Sequence, residues 1–165
     1  MSKVIFGLGS NLDNPVIQLQ TAVENLGRFF TLHRVSNIYK SQSLLKDEQE
    51  DYYNIAVLAE TDKLPQKILS ITQKIEKDMG RIKLKKWGER VIDIDIIDYN
   101  REIIKLYNLE IPHNNMIYRS FVLNPLKDIM PEYIHPVLNI SVQDMINSLE
   151  DDYNITICQN KFIFL

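Results

Sequence analysis

Residues 90–100 read RVIDIDIIDYN, a β-strand by its alternation, yet one carrying aspartate where strands favour threonine or valine. Strict alternation sets Ile92, Ile94 and Ile96 on one face and Asp93 and Asp95 on the other, with Val91, Ile97 and Tyr99 sharing the aspartate face. Like charges side by side repel, so the pair needs a reason. Residues i and i+2 of a strand lie about 6.5 to 7 Å apart at Cα. Carboxylates so placed can share a hard divalent cation, and Mg²⁺ takes one or two carboxylates together with phosphate oxygens and water. The competing reading is an exposed strand with solvated charges, although the apolar residues expected on that face argue against free wetting.

The ten residues RIKLKKWGER, 81–90, hold five cations (Arg81, Lys83, Lys85, Lys86, Arg90) against the single anion Glu89. A metal–phosphate complex wants carboxylates for the metal and cations for the phosphate oxygens, and both lie between Arg81 and Asp95. The chain as a whole carries a net charge of −3, which does not attract nucleic acid. A cationic loop on a mildly acidic chain fits a small polyanion, a nucleoside triphosphate or another polyphosphate.

Outward from this strand the rest of the fold takes shape. KVIFGLG (3–9) is a first strand; Asp13 or Asn14 is expected to cap a helix with Pro15 in its first turn, and Val16, Leu19, Val23, Leu26 and Phe30 recur at helical spacing. TLHRVSNIYKS (31–41) and DYYNIAVLAET (51–61) alternate as second and third strands around the loop QSLLKDEQE. Asp62 and Pro65 open a second helix with the apolar face Ile68, Ile71, Ile75 and Met79, and Gly80 ends it. The order βαββαβ predicts an α+β fold with a ferredoxin-like core, an antiparallel sheet whose two helices share one face, and a C-terminal extension. Past the opening strand the expectations are a small hairpin around Asn100, a helix in NMIYRSFVLNPL ending at Pro125, an amphipathic helix in SVQDMINSL with Val142, Met145, Ile146 and Leu149 inward, and a last hairpin near Gln159 and Asn160.

Length and composition bound the rest. The 165 residues fit one domain, 1–165, with 45% hydrophobic and 25% charged residues, the balance of a folded globular chain. No apolar run nears the roughly 20 residues of a membrane helix, and MSKVIFGLGS lacks a signal peptide's apolar core. The lone Cys158 excludes an internal disulfide and a cysteine-rich zinc site; a reducing cytoplasm is the expected compartment. Cys158 itself reads as a packed core residue.

Other motifs are weaker alone. GLGSNL (7–12) echoes a dinucleotide fingerprint but has Leu12 in place of the third glycine, and no GxxxxGK[ST] occurs. What survives is a tight loop that lets a ligand approach the backbone, or an ordinary turn. DYYN puts Tyr52 and Asn54 on one face, an aromatic beside an amide able to read a heterocycle's edge. IPHNNMIYRSFVL supplies His113, Arg119 and Phe121; taken singly, His113 and Phe121 are more often structural, and Trp87 and Glu76 invite the same reading.

Together, GLGSNL, DYYN, EKDMGR, KWGERVIDIDI and IPHNNMIYRSFVL resemble, in order and spacing, the 6-hydroxymethyl-7,8-dihydropterin pyrophosphokinase family, from about residue 3 to residue 131. The resemblance implies pyrophosphoryl transfer from ATP to a pterin alcohol in folate biosynthesis. It makes Asp93 and Asp95 ligands of two Mg²⁺ ions, and puts Arg81, Arg90, Asp93 and Asp95 at the catalytic centre. It implies ATP contacts from Glu76, Lys83, Trp87, Arg90, Ile96, His113 and Arg119, with Trp87 and Arg81 on a closing loop. It implies pterin contacts from Ser41, Gln42, Leu44, Tyr52, Asn54, Asp93 and Phe121. The implied partners are ATP and the pterin, with no nucleic acid and no membrane, and a monomer is the expected state. No role follows for residues 132–165.

The chain departs from the family pattern in places. Ser41, Gln42 and Ser43 stand where threonine-proline-proline is common, Glu89 replaces a proline, the basic loop is one residue short, and Lys83 replaces an arginine whose bidentate fork it cannot reproduce. The rival reading from another class is a ferredoxin-like module that holds RNA or a nucleotide without chemistry. The acidic balance, the lack of an RNP1-like pattern and the aspartate pair weigh against it. Within enzymes the alternative is another Mg-ATP transferase acting on a different small alcohol.

Overall fold

Hydrophobic alternation on both faces of three strands builds the centre of the molecule. In the computed structural model, which describes residues 1–44, 50–80 and 91–158, β1 (Ser2–Ser10) lies between β4 (Tyr52–Thr61) and β5 (Asp93–Tyr99), antiparallel to both. Beyond β4 stand β2 (Thr31–Val35) and β3 (Tyr39–Ser41), and β3 pairs in turn with β8 (Thr156–Ile157). This β5-β1-β4-β2/β3 order, with α1 (Pro15–Leu26) and α2 (Pro65–Asp78) as crossovers, is the expected ferredoxin-like arrangement.

Each face of the sheet has its own core. Phe6, Leu8, Ile55, Val57, Ile94 and Ile96 pack against α1 and α2 through residues such as Leu19, Leu26, Ile68 and Ile75. Ile5, Ala56, Leu58 and Ile97 pack against α3 (Ser120–Ile129) and α4 (Val142–Asn147). The two early helices therefore share a face as expected, while the downstream helices cover the other. That second layer ends before the tips of β1, β4 and β5, and the site lies there.

Several local expectations need correction. The second strand breaks into β2 and β3 because Ser36 bonds across to Ala56 with both its backbone and its hydroxyl, the latter accepting from Ala56 N–H at 2.9 Å. Neither Asp13 nor Asn14 caps α1 by its side chain; Asn14 is left-handed at φ 59 and Pro15 supplies the first turn. Asn100 and Arg101 make a left-handed turn, but the hairpin that follows is β6 (Ile104–Leu106) with β7 (Leu109–Ile111), further along the chain. The helix after Met116 does not stop at Pro125: a 3₁₀ turn over Met116–Tyr118 ends at the extended Arg119, and α3 then runs through the proline. The turn expected at Gln159 and Asn160 lies outside the described residues.

Strand β5 carries a bulge. Phe6 pairs with Ile96 and Ile5 with Asp98, so Ile97 is an extra residue in β5. The slip moves Tyr99 to the α1/α2 core, away from the aspartate face where strict alternation had put it. It also turns Asp98 inward, where Tyr133 Oη donates to Oδ2 at 2.7 Å and Arg101 N–H donates to Oδ1 at 2.9 Å.

Candidate active site

Two glycines on β1 clear the floor of a cavity of about 270 Å³ at the end of the sheet. Across the three central strands, Asn54, Gly9 and Asp93 form one row, and Ala56, Gly7 and Asp95 form the next. Asp93 and Asp95 both line the cavity, on the face opposite Ile94 and Ile96. The lack of a side chain is required at Gly9 and only eases packing at Gly7. A Cβ on Gly9 would lie 2.5 Å from Asn54 Nδ2, and one on Gly7 would lie 3.1 Å from Ile97 Cδ1. The strands that carry Asn54 and Asp93 stand two strand spacings apart, roughly 10 Å, and the Asn54 amide reaches over Gly9 into the gap between them.

One wall comes from β4 and the chain after β3, through Tyr52, Gln42 and Leu44; the other comes from Phe121 and Val122 at the start of α3. Among the described residues, Ser41 Oγ and Asn54 Oδ1 are buried with no hydrogen-bond partner. Such atoms are costly to leave unsatisfied, and Asn54, which lines the cavity, suits a ligand with a polar edge, while Ser41 is buried next to the lining residue Gln42 and does not itself line the cavity. The Asn54 amide is itself held by donation from Nδ2 to Leu8 O at 3.3 Å.

The far end of the cavity is polar. His113 N–H donates to the carbonyl of the bulged Ile97 at 2.9 Å, which brings the histidine beside the strand. Its Nδ1 accepts from Asn115 N–H at 3.3 Å, leaving Nε2 to carry the proton, 3.8 Å from Asp95 Oδ2. Burial, and secondarily the nearby Arg119 guanidinium, lower its pKa to about 4 against the pull of Asp93. The ring is neutral at pH 7, so it leaves the carboxylates' charge for other cations. Arg119 lies 5.6 Å from the Phe121 ring centre and also borders the cavity.

The strand pairing thus gathers Asp93, Asp95, His113, Arg119, Phe121, Tyr52, Asn54, Gln42 and Leu44 from five separate segments. Glu76 does not line the cavity: it is buried at the end of α2, and its Oε1 accepts the amide of Ile94, between the two aspartates. Ile96 points into the α1/α2 core. Arg81, Lys83, Trp87 and Arg90 lie outside the described residues. The structure adds Gly7 and Gly9, part of β1 and not the loop expected from GLGSNL, together with Asn114, Asn115 and Val122. The signal for the glycines was available: they alternate with Phe6 and Leu8 and so share a face.

The chain matches the family 7,8-dihydro-6-hydroxymethylpterin-pyrophosphokinase over residues 5–131. It belongs to that family. It is 41% identical over 138 residues to the 2-amino-4-hydroxy-6-hydroxymethyldihydropteridine pyrophosphokinase of Haemophilus influenzae, covering 82% of this chain and 86% of that one. The Aquifex aeolicus protein of the same name is 37% identical over 137 residues, with 83% and 86% covered. Longer relatives exist: the folic acid synthesis protein FOL1 of Dictyostelium discoideum is 41% identical over 152 residues, which are 92% of this chain and 23% of that one. Among solved structures, wild-type Plasmodium falciparum HPPK-DHPS with SDX-DHP superposes with a TM-score of 0.69 at 21% identity. That match covers 89% of this chain and 43% of the Plasmodium chain, and it supports the fold.

As a pyrophosphokinase of this family, the chain is a transferase of folate biosynthesis that moves a pyrophosphoryl group to hydroxymethyldihydropterin, with ATP as co-substrate. Among the described residues no group of three or more histidine, cysteine, aspartate or glutamate side chains could cage a metal. The donor set that is present, two carboxylates on one strand face, fits magnesium held jointly with phosphate oxygens. Nor, among those residues, is any helix long and apolar enough to cross a membrane.

Proposed function

We propose that the cavity over Gly7 and Gly9 is where this pyrophosphokinase joins its substrates. The pterin would lie between Tyr52 and Phe121 with its polar edge on Asn54, and the ATP phosphates would lie over Asp93 and Asp95. The observation carrying this reading is the pair of cross-strand rows, in which glycine separates a heterocycle-reading amide from a cation-binding carboxylate. Phe121 and Tyr52 offer ring faces for stacking. Ser41, Gln42 and Leu44 would touch the pterin edge, and Ser41 Oγ still has hydrogen-bonding capacity.

Asp93 and Asp95 would hold two Mg²⁺ ions, which when bound supply charge neutralisation of the triphosphate and a lowered pKa for the attacking hydroxyl. The hydroxymethyl oxygen attacks the β-phosphorus; the bond from that phosphorus to the oxygen bridging it to the α-phosphorus breaks, and AMP leaves with that oxygen. The hydroxyl proton departs to solvent or phosphate. Such transfer needs positioning and charge stabilisation more than covalent help. Neutral His113 can donate from Nε2 to a phosphate oxygen, and Arg119 adds a cation at the same end. Glu76 holds the strand between the aspartates through the Ile94 amide, and Ile96 backs that strand from the core. On the family motif, Arg81, Lys83, Trp87 and Arg90 would close over the nucleotide. The chain would work as a single domain, 1–165, as a monomer in the cytoplasm.

The test is direct. Incubated with Mg-ATP and the reduced pterin alcohol, the full chain should release AMP in a one-to-one ratio with pterin diphosphate. ADP with a pterin monophosphate, or no turnover, would overturn the reading.

A further inference from the structure

Residues 151–158 lie beyond the family match and reach back to the pterin side of the cavity. β8 pairs with β3, setting Ile157 opposite Tyr39 and Thr156 opposite Lys40, and Cys158 N–H donates to Ile38 O at 2.7 Å. Ahead of β8 the chain makes a tight turn in which Tyr153 and Asn154 both adopt left-handed backbone, at φ 54 and 51. Bulky side chains are unfavourable there, so the surroundings must impose the turn. They do so through four bonds: Asp151 Oδ1 accepts Tyr153 N–H, Asp152 Oδ1 accepts Asn154 N–H, Asp152 O accepts Ile155 N–H, and Ser120 Oγ donates to Asp152 O at 2.7 Å.

The turn delivers Tyr153 to the two walls of the cavity at once. Its carbonyl accepts the Gln42 N–H at 2.8 Å, fixing the segment that carries Ser41, Gln42 and Leu44. A proline at 42, lacking that N–H, could not make this bond. Its ring meets the Phe121 ring edge-on, centroids 6.3 Å apart at 72°. Phe121 sits at the very start of α3, partly buried against the core on that face of the sheet, and its ring also lies beside the Arg119 guanidinium. An edge-on aromatic partner fixes the ring plane.

We infer that Tyr153 is a positioning residue for the pterin: its ring orients Phe121 as a stacking face, and its carbonyl sets the opposite wall. The inference rests on the proposed seat of the pterin. It is tested by calorimetry of the full-length chain with the pterin alcohol, at saturating magnesium and a non-hydrolysable ATP analogue, for Tyr153→Ala, Tyr153→Phe and Phe121→Ala. Tyr153→Ala should weaken pterin binding roughly three- to tenfold and leave the affinity for the ATP analogue unchanged. Both Tyr153 variants keep the backbone carbonyl that holds Gln42, so the comparison reads the ring alone, and Tyr153→Phe, which keeps the ring, should retain wild-type pterin affinity. Wild-type pterin affinity in Tyr153→Ala, with Phe121→Ala impaired, would overturn this inference alone. Equal weakening of pterin and nucleotide in Tyr153→Ala would overturn it too, as general damage to the fold. Wild-type affinity in Phe121→Ala would instead bring down the seat on which it rests.

Discussion

Gly9 and Asn54 face each other across β1 and β4 so closely that a single added methyl would occupy the place of the amide: a Cβ at residue 9 falls 2.5 Å from Asn54 Nδ2. Asn54 is buried and bonded to Leu8 O, so its amide has nowhere convenient to go. Gly9→Ala should therefore act on substrate recognition more than on the fold, raising the pterin Kd by about tenfold or more, the scale of one displaced hydrogen-bonding partner in a buried site. Calorimetric titration checks it, and an unchanged Kd would contradict it.

Gly7→Ala makes the contrast. There the Cβ would meet Ile97 at 3.1 Å, the end of an aliphatic chain that can shift by a few tenths of an ångström. Alanine also restricts the unfolded chain, which offsets part of the crowding. The expected change is within about 1 kcal/mol by urea denaturation, with pterin affinity retained.

Tyr133→Phe probes the bulge. Asp98 is 3% exposed and takes a 2.7 Å bond from the Tyr133 hydroxyl, whose own pKa is raised, first by burial and then by that carboxylate. Without the hydroxyl the buried carboxylate keeps the Arg101 amide but loses its side-chain donor. A loss of about 2 kcal/mol is expected, read from the urea midpoint at unchanged m-value.

Acid should loosen the segment after α3. His135 is buried, and its Nδ1 accepts both the Val137 and Leu138 N–H groups, at 3.2 and 3.1 Å, so that nitrogen must be unprotonated. Burial lowers its pKa, against a smaller opposing pull from Asp98. Since the folded pKa lies below the unfolded value of 6.5, the stabilisation is complete above pH 6.5 and is lost as pH falls through the folded value. His135→Asn, whose carbonyl oxygen can accept in place of Nδ1, should show a shallower loss of thermal stability between pH 7 and 5 than the parent. Parallel curves would contradict the assignment.

Much of this was written in local pattern. Alternation in β1, β4 and β5, helical spacing at Leu19 and Ile68, and the glycine and proline boundaries are properties of short windows, and they gave the order of elements along the chain. The face of Asp93 and Asp95 followed from period two alone. What short windows could not give depended on distant partners. The Ile97 bulge exists because β5 must satisfy β1 on one side and Asp98 must meet Tyr133, thirty-five residues on. The break between β2 and β3 depends on Ser36 bonding to Ala56. Pro125 failed to end α3 because that helix is held by its buried face, Val122, Leu123, Leu126 and Ile129, against the sheet. Tyr153 carried no motif, and its place beside Phe121 is a product of the β3–β8 pairing.

The proposed chemistry depends on the aspartate pair, and AMP release by Asp95→Ala tests it. With the circular dichroism spectrum and thermal transition preserved, turnover at saturating Mg-ATP and pterin should fall by roughly 10² to 10³, as for other lost charge-stabilising groups. Turnover within a few-fold of the parent would show that the carboxylates on β5 do not organise the phosphates.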